Sequence, residues 1–286
     1  MSGERRRTGH LPQSGEGRQY HVGVAPGEVA REIMLVGDPA RAEKVAKRFD
    51  AIRVHRTQRE YVTFTGPWQG RELSVVATGI GCDNTEIAVI ELAQVVEEPT
   101  FIRVGSCGAL AAGIAIGDLV ISSGAVKLET TSSWFVPEGY PSLAHHEVIL
   151  ALLEATAGLT DRRVHVGITA SAPGFYGAQG RQVPGFPPRD PELPQRLAQV
   201  GVKNLEMEAS LLFTLAGMRG WRAGAVCAVY ADRNANSFVE PDVKTRAEAA
   251  AIEAGLGAFA ALRRMDAARG PDAHWRPGHG LGNAGS

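Results

Sequence analysis

Short apolar runs without polar alternation recur along this sequence, and segments with helical character separate them. Strands of this kind are buried on both faces, so they require a mixed or parallel sheet covered by helices on both sides. The predicted strands are residues 33–36, 73–78, 101–104, 119–126, 164–169 and 223–230. The predicted helices are residues 39–49, 85–96, 147–156, 190–199, 207–217 and 244–265. In such an α/β sheet, ligands bind beyond the carboxyl ends of the strands.

Composition excludes several classes of function. The chain has 286 residues, of which 44% are hydrophobic, and a formal net charge of -1, so no charge surplus points to nucleic acid or an anionic membrane as a partner. The three cysteines are Cys82, Cys107 and Cys227, and none forms the close pair of a zinc or disulfide motif. We expect neither a secretory signal nor a transmembrane helix, and therefore a cytoplasmic protein.

The two ends differ from the rest of the chain in composition. Residues 1–18 are polar and poor in aliphatic side chains, and residues 269–286 are rich in glycine and lack periodicity. We predict a disordered extension at 1–18, one α/β domain at 19–268 and a disordered tail at 269–286.

The loop after the first predicted strand is suited to an anion. Asp38 is a natural N-cap and Pro39 a natural first helical residue, so free backbone N–H groups are expected there. Gly37 lets an anion approach the backbone, and Arg41 adds a fork of donors. A well-capped helix with a surface arginine explains the same residues. The glycine pair Gly79 and Gly81 is also consistent with an ordinary tight turn.

The segment 103–109 places an arginine inside an apolar strand. A buried guanidinium is costly without an anionic partner, so Arg103 needs a carboxylate or a bound anion. The hydroxyl of Ser106 and nearby glycine amides supply further donors. A structural salt bridge remains an alternative explanation.

Two acids flank Met207 after the apolar residues 202–205. A carboxylate such as Glu208 can accept hydrogen bonds from both hydroxyls of a ribose, and the thioether of Met207 suits the apolar face of a sugar. Acids at a helix start also interact favourably with the helix dipole, which is the simpler explanation of Glu206 and Glu208.

The segments GDPARAEKVA, TGIGCDNTEIAVIEL, FIRVGSCGA and NLEMEAS, in this order, resemble the nucleoside phosphorylase-I family over residues 21–265. The resemblance implies a single α/β domain with a central mixed β-sheet, partly barrel-like and flanked by helices. It also implies phosphorolysis of a nucleoside to free base and ribose 1-phosphate by a pentosyltransferase. It assigns phosphate to Gly37, Arg41, Arg103 and Ser106, and ribose to Met207 and Glu208.

The segment GFYGAQGR at 174–181 resembles the base-reading insertion of the uridine-specific branch. By that resemblance Gln179 and Arg181 bind the pyrimidine edge and Phe175 lies against the ring. His21 resembles a histidine that a neighbouring subunit supplies to the sugar, and Arg59 an arginine that it supplies to phosphate. The resemblance therefore implies a homo-oligomer built from dimers, a hexamer in this family.

One position departs from the uridine-specific pattern, because Asp232-Arg233 stands where Asn-Arg is usual. Purine-specific relatives use an aspartate here as the acid toward the leaving base, so Asp232 is a candidate catalytic residue beside Arg103, Glu208 and Arg233. If the side chains of Asp232 and Arg233 meet, the arginine should keep the aspartate anionic and a poor acid. Arg233 remains a base-binding candidate.

Three alternatives remain open at this point. A purine nucleoside phosphorylase would use Asp232, a nucleosidase would use water and would not need Arg41, Arg59 and Arg103, and a binding module would lack part of the site. No metal or organic cofactor is expected, and phosphate is a co-substrate. Glu60 and Asn84 fall where some relatives bind a monovalent cation, although Asn84 replaces a serine. His145 and His146 precede a helix and are interpreted as capping residues.

Overall fold

The computed structural model describes residues 9–14 and 17–281. The outer parts of the predicted extension 1–18 and tail 269–286 therefore lie outside the described residues. The chain forms two compact units, 1–101 and 102–286. The boundary between them falls inside strand β5 (Thr100–Ala109). Among the described helices, none is both long and apolar enough to cross a membrane.

The described residues of the first unit form four strands and two helices before β5. They are β1 (Glu32–Val36), α1 (Pro39–Ala46), β2 (Val54–Gln58), β3 (Tyr61–Trp68), β4 (Arg71–Ala77) and α2 (Cys82–Ala93). Strand β1 pairs in parallel with β4, and β3 lies antiparallel between β4 and β2. The sequence analysis did not predict β2 and β3. Four exposed residues in β2 and Gly66 and Pro67 in β3 give neither a continuous apolar run nor strict alternation.

The second unit holds the remaining elements. They are β5 (Thr100–Ala109), β6 (Leu119–Lys127), β7 (Ser142–Leu143), α3 (His146–Thr156), β8 (Val164–Ser171), α4 (Leu193–Gln199), β9 (Asn204–Glu206), α5 (Ala209–Arg219), β10 (Arg222–Asp232), β11 (Ser237–Phe238) and α6 (Pro241–Arg269). Strands β10, β6, β8, β9 and β5 follow one another as neighbours, and β5 also pairs with β10. These five strands therefore close into a ring, which gives the sheet its barrel character.

The sheet of the second unit is mixed and largely buried. Strands β6, β8 and β9 run parallel, whereas β10 is antiparallel to β6 and β9 to β5. Nine of the eleven residues of β10 are buried, which fits a strand with cover on both faces. Helices α3 and α6 pack together, and α5 and α6 contact β10. The predicted mixed sheet with partial barrel character and flanking helices is confirmed.

The end of the chain continues beyond the last long helix. Helix α6 ends at Arg269, and a short 3₁₀ helix forms at Pro277–His279. The backbone N–H of Trp275 donates to Glu147 at 3.0 Å. This part of the predicted tail therefore makes a defined contact with the start of α3.

Candidate active site

The carboxyl ends of β1 and β4 meet in the first unit, because these parallel strands are neighbours. Asp38 caps α1 by accepting from the N–H of Ala40 at 2.9 Å, and Pro39 is the first helical residue, so the predicted helix start is confirmed. A Cβ at Gly37 would lie 3.2 Å from the carbonyl oxygen of Gly79. The two glycine loops are thus adjacent, and Arg41 is buried beside them in α1. A phosphate role for Gly37 and Arg41 stays a prediction.

His21 and Arg59 lie in one cluster of the first unit, joined by Tyr20. The guanidinium of Arg59 is 5.3 Å from the centre of the Tyr20 ring, which in turn contacts the His21 ring edge-on at 4.9 Å. Arg59 sits in the turn between β2 and β3 with a φ of 53°. The contact of Tyr20 with both side chains was not predicted from the sequence.

Glu91 orients His21. Its carboxylate accepts from Nδ1 of His21 at 2.6 Å and from the backbone N–H groups of His21 and Val22. Since an ionised carboxylate can only accept, the Nδ1 of His21 carries the proton and its Nε2 remains for another partner. Glu91 is buried in α2, and an acid between Ile90 and Leu92 was the sequence signal that could have indicated this role.

Glu60 and Asn84 also come together in the first unit. A Cβ at Gly79 would lie 2.6 Å from the amide nitrogen of Asn84 and 3.5 Å from Cγ of Glu60. Both side chains therefore pack against the same turn. A cation there stays a prediction.

The centre of polar contacts in the second unit is Arg103. Its Nε donates to Glu206 at 3.1 Å and its Nη2 donates to Glu208, and all three side chains are buried. Burial opposes the charge of Arg103, but Glu208 and Glu206 outweigh it and raise the pKa of the guanidinium. Of the two kinds of partner considered for Arg103, a carboxylate or a bound anion, the structure contains carboxylates.

The two glutamates have different tasks. Glu206 accepts from the backbone N–H groups of Glu208 at 2.9 Å and of Ala209 at 3.0 Å, and from the hydroxyl of Ser171. It thereby holds the start of helix α5. Glu208 occupies the N-cap position but makes no capping hydrogen bond with its side chain. A role at the start of the helix was left open for both glutamates. It accounts for Glu206 and not for Glu208.

Two glycines of β5 leave room for the side chains of Arg103 and Arg233. A Cβ at Gly105 would lie 2.9 Å from Cζ of Arg103, and one at Gly108 would lie 3.1 Å from Cδ of Arg233. Ser106, between them, is the one residue of β5 that is not buried. The glycines of this segment therefore accommodate arginine side chains, a role that the sequence analysis missed when it considered only their amides.

The predicted base-binding residues form a second cluster in this unit. Gln179 is buried, and its backbone carbonyl accepts from Nη2 of Arg233 at 2.8 Å. Arg181 donates to the carbonyl of Phe175 and lies 4.0 Å over its ring. Burial lowers the pKa of Arg181 to about 10, and the charge of nearby Arg233 adds to this shift.

Asp232 is the last residue of β10, directly before a turn. Its Oδ1 accepts from the N–H groups of Asn234 at 2.9 Å and Ala235 at 3.0 Å. Arg233 donates instead to Gln179, and the described part of the chain shows no ion pair between Asp232 and Arg233. The condition for an effect of Arg233 on Asp232, contact between the two side chains, is therefore not met. Oδ1 of Asp232 instead holds the backbone of the turn that follows.

Met207 is half-buried and lies between the two buried glutamates in the sequence, and its contact with a sugar stays a prediction. His145 caps α3 by accepting from the N–H of Glu147 at 3.3 Å, so its predicted capping role is confirmed.

The sequence profile of the phosphorylase superfamily matches residues 33–261. A uridine phosphorylase of Thermococcus kodakarensis is 45% identical over 93% of this chain and 95% of its own. A guanosine phosphorylase of Halorubrum lacusprofundi is 36% identical over 74% of this chain and 83% of its own.

Among solved structures, a nucleoside phosphorylase from Trypanosoma brucei, described as showing uridine phosphorylase activity, matches with a TM-score of 0.78. It is 26% identical, and the match covers 87% of this chain and 98% of that one. The match supports the predicted single-domain nucleoside phosphorylase fold.

The contrast between the two glutamates gives a prediction for stability. Glu206→Gln should lower the free energy of unfolding by about 1–3 kcal/mol, because it disturbs buried donors at the start of α5. Glu208→Gln, the matched control, should cost less, because the backbone N–H groups and Arg103 keep their bonds to Glu206. Urea unfolding followed by circular dichroism measures both. A larger loss in Glu208→Gln would contradict the division of tasks.

Proposed function

Because the chain belongs to the phosphorylase superfamily, we propose that it is an enzyme that cleaves uridine with inorganic phosphate to uracil and ribose 1-phosphate. The observation that carries the choice of base is the cluster of Gln179, Arg181 and Arg233. The high identity to a uridine phosphorylase over nearly the whole chain supports the same choice.

The leaving base develops negative charge as the glycosidic bond breaks. Arg181 and Arg233 are partly buried cations near each other, and burial lowers the pKa of both. A developing anion relieves this unfavourable arrangement in the transition state more than in the ground state, which is how a site of this kind accelerates the reaction. Gln179 supplies an adjacent donor and acceptor that match N3–H and a carbonyl of uracil.

We assign the ribose hydroxyls to Glu208 and the sugar face to Met207. Glu206 keeps its bond to Arg103 while the Glu208 carboxylate turns to the hydroxyls, so Arg103 stays paired throughout. His21 of a neighbouring subunit binds the ribose. We assign phosphate to Gly37, Arg41, Arg103 and Ser106, with Arg59 from a neighbouring subunit. No organic cofactor enters this mechanism.

We further propose a cytoplasmic homo-oligomer, a hexamer built from dimers. The contacts of Tyr20 with both His21 and Arg59 support this proposal. They would let one subunit supply both side chains together to its neighbour's site. A monovalent cation beside Glu60 remains part of this proposal.

A purine nucleoside is the second candidate substrate, because the guanosine phosphorylase relative is 36% identical. That function would require Asp232 to deliver a proton to the base. The two backbone hydrogen bonds to Oδ1 of Asp232 hold the turn after β10, which favours a structural role for this side chain.

The test measures release of free base from uridine, inosine and guanosine, with and without phosphate. We expect kcat/KM to be highest for uridine and turnover to stop without phosphate. Asp232→Asn should keep uridine activity within about threefold, because an asparagine oxygen also accepts from a turn, whereas Gln179→Met should lower it about tenfold or more. Undiminished release without phosphate would indicate a nucleosidase. Preference for a purine nucleoside, lost selectively in Asp232→Asn, would establish the second candidate.

Subunit complementation tests the shared site. Arg59→Ala and Glu208→Gln protomers should each be inactive alone and should recover part of the activity when mixed, because a hybrid dimer contains one intact site. An Arg31→Ala protomer, altered at an exposed ion pair, is the control that stays active alone. No recovery despite demonstrated exchange of subunits would contradict the contribution of Arg59 from a neighbour.

A further inference from the structure

A second group of chemically active side chains lies at the start of helix α3 in the second unit. His146, Glu147 and His274 place one ligand nitrogen or oxygen each within 4.8 Å of one another. Both histidines are exposed and Glu147 is buried. None of the three has a role in the proposed reaction.

We propose that His146, Glu147 and His274 form a binding site for a transition-metal cation, with Zn²⁺ as its ion. Two imidazoles and one carboxylate are a ligand set that zinc accepts, with water at a fourth, open position. Calcium and magnesium favour oxygen ligands and are poorly matched to two imidazoles. Tetrahedral coordination with bonds of about 2.0–2.2 Å requires ligand atoms that lie closer to one another than 4.8 Å. Because both histidines are exposed, rotation of their side chains would bring the ligand nitrogens closer.

Glu147 is the fixed member of the group. Its Oε1 accepts from the backbone N–H of Trp275 at 3.0 Å, and its N–H donates to His145. Arg222 is the neighbouring cation that opposes a metal. It makes its two short bonds, 2.8 and 2.9 Å, to Asp266, and its contact with Glu147 is 3.4 Å. The charge of Arg222 is therefore largely balanced by Asp266, and Glu147 retains lone pairs for a cation.

The backbone already holds the two histidines near each other. His274 precedes Trp275, whose N–H is bonded to Glu147, and His146 precedes Glu147 in the chain. The rings of His146 and His274 lie 5.9 Å apart, and His146 stacks on His145 at 4.6 Å. A bound ion would connect the segment after α6 to the start of α3. Metal binding would therefore fasten residues 270–281.

Untagged protein, first freed of metal with a chelator, is titrated with Zn²⁺, and Co²⁺ serves as a spectroscopic probe of tetrahedral coordination. We expect one Zn²⁺ per chain, a rise in Tm, and slower hydrogen exchange in residues 270–281. His146→Ala and His274→Ala should each weaken binding about tenfold or more. His55→Ala, an exposed histidine of the first unit, is the control that should bind as wild type.

Uridine phosphorolysis by the two variants should match wild type without added metal, which separates this site from the proposed active site. Absence of stoichiometric binding by the wild type would overturn the proposal. So would unchanged affinity in either His146→Ala or His274→Ala, because both side chains must be ligands. If the protein cleaved none of the nucleosides, the zinc titration would still test the metal site. The two proposals can therefore fail independently.

Discussion

The buried ion pairs of Arg103 with Glu206 and Glu208 are the constraint on which the second unit depends. A guanidinium inside a buried strand is destabilising unless acids face it, and removing one partner leaves an uncompensated charge. Glu206 at the end of β9 and Glu208 at the start of α5 supply those acids. The same contacts connect β5, β9 and α5, so the pairing that compensates the charge also fixes the elements that carry the candidate site.

Within this cluster, structural and chemical tasks fall to different side chains. Glu206 serves Arg103, the backbone of α5 and Ser171 at once, which leaves it no freedom to bind a substrate. Glu208 is bound to Arg103 without capping the helix. The glycines follow from the same requirement, because a methyl group at Gly105 would collide with Arg103 and one at Gly108 would crowd Arg233. The second unit thus combines a rigid scaffold with one acid that is suited to exchange partners.

Sequence patterns predicted the parts that depend on local chemistry. Apolar runs located β1, β6, β8 and β10, and Asp38 with Pro39 located the start of α1. The hairpin β2–β3 was missed, because its residues form neither a continuous apolar run nor a strict alternation. Contacts between distant segments were also out of reach: Glu91 lies 70 positions from His21, and Asp232 bonds to the following backbone and not to Arg233. Spacing along the sequence does not show which acidic side chain faces which basic side chain after folding.

The central claim is that Glu208, and not Glu206, exchanges its contact with Arg103 for the substrate. A crystal structure of the protein with uridine and a phosphate analogue such as sulfate measures this directly. We predict that both ribose hydroxyls donate to Glu208, that sulfate contacts Arg103, and that Nε of Arg103 stays on Glu206. A complex in which Glu208 remains on Arg103 while other residues hold the ribose hydroxyls would contradict the account.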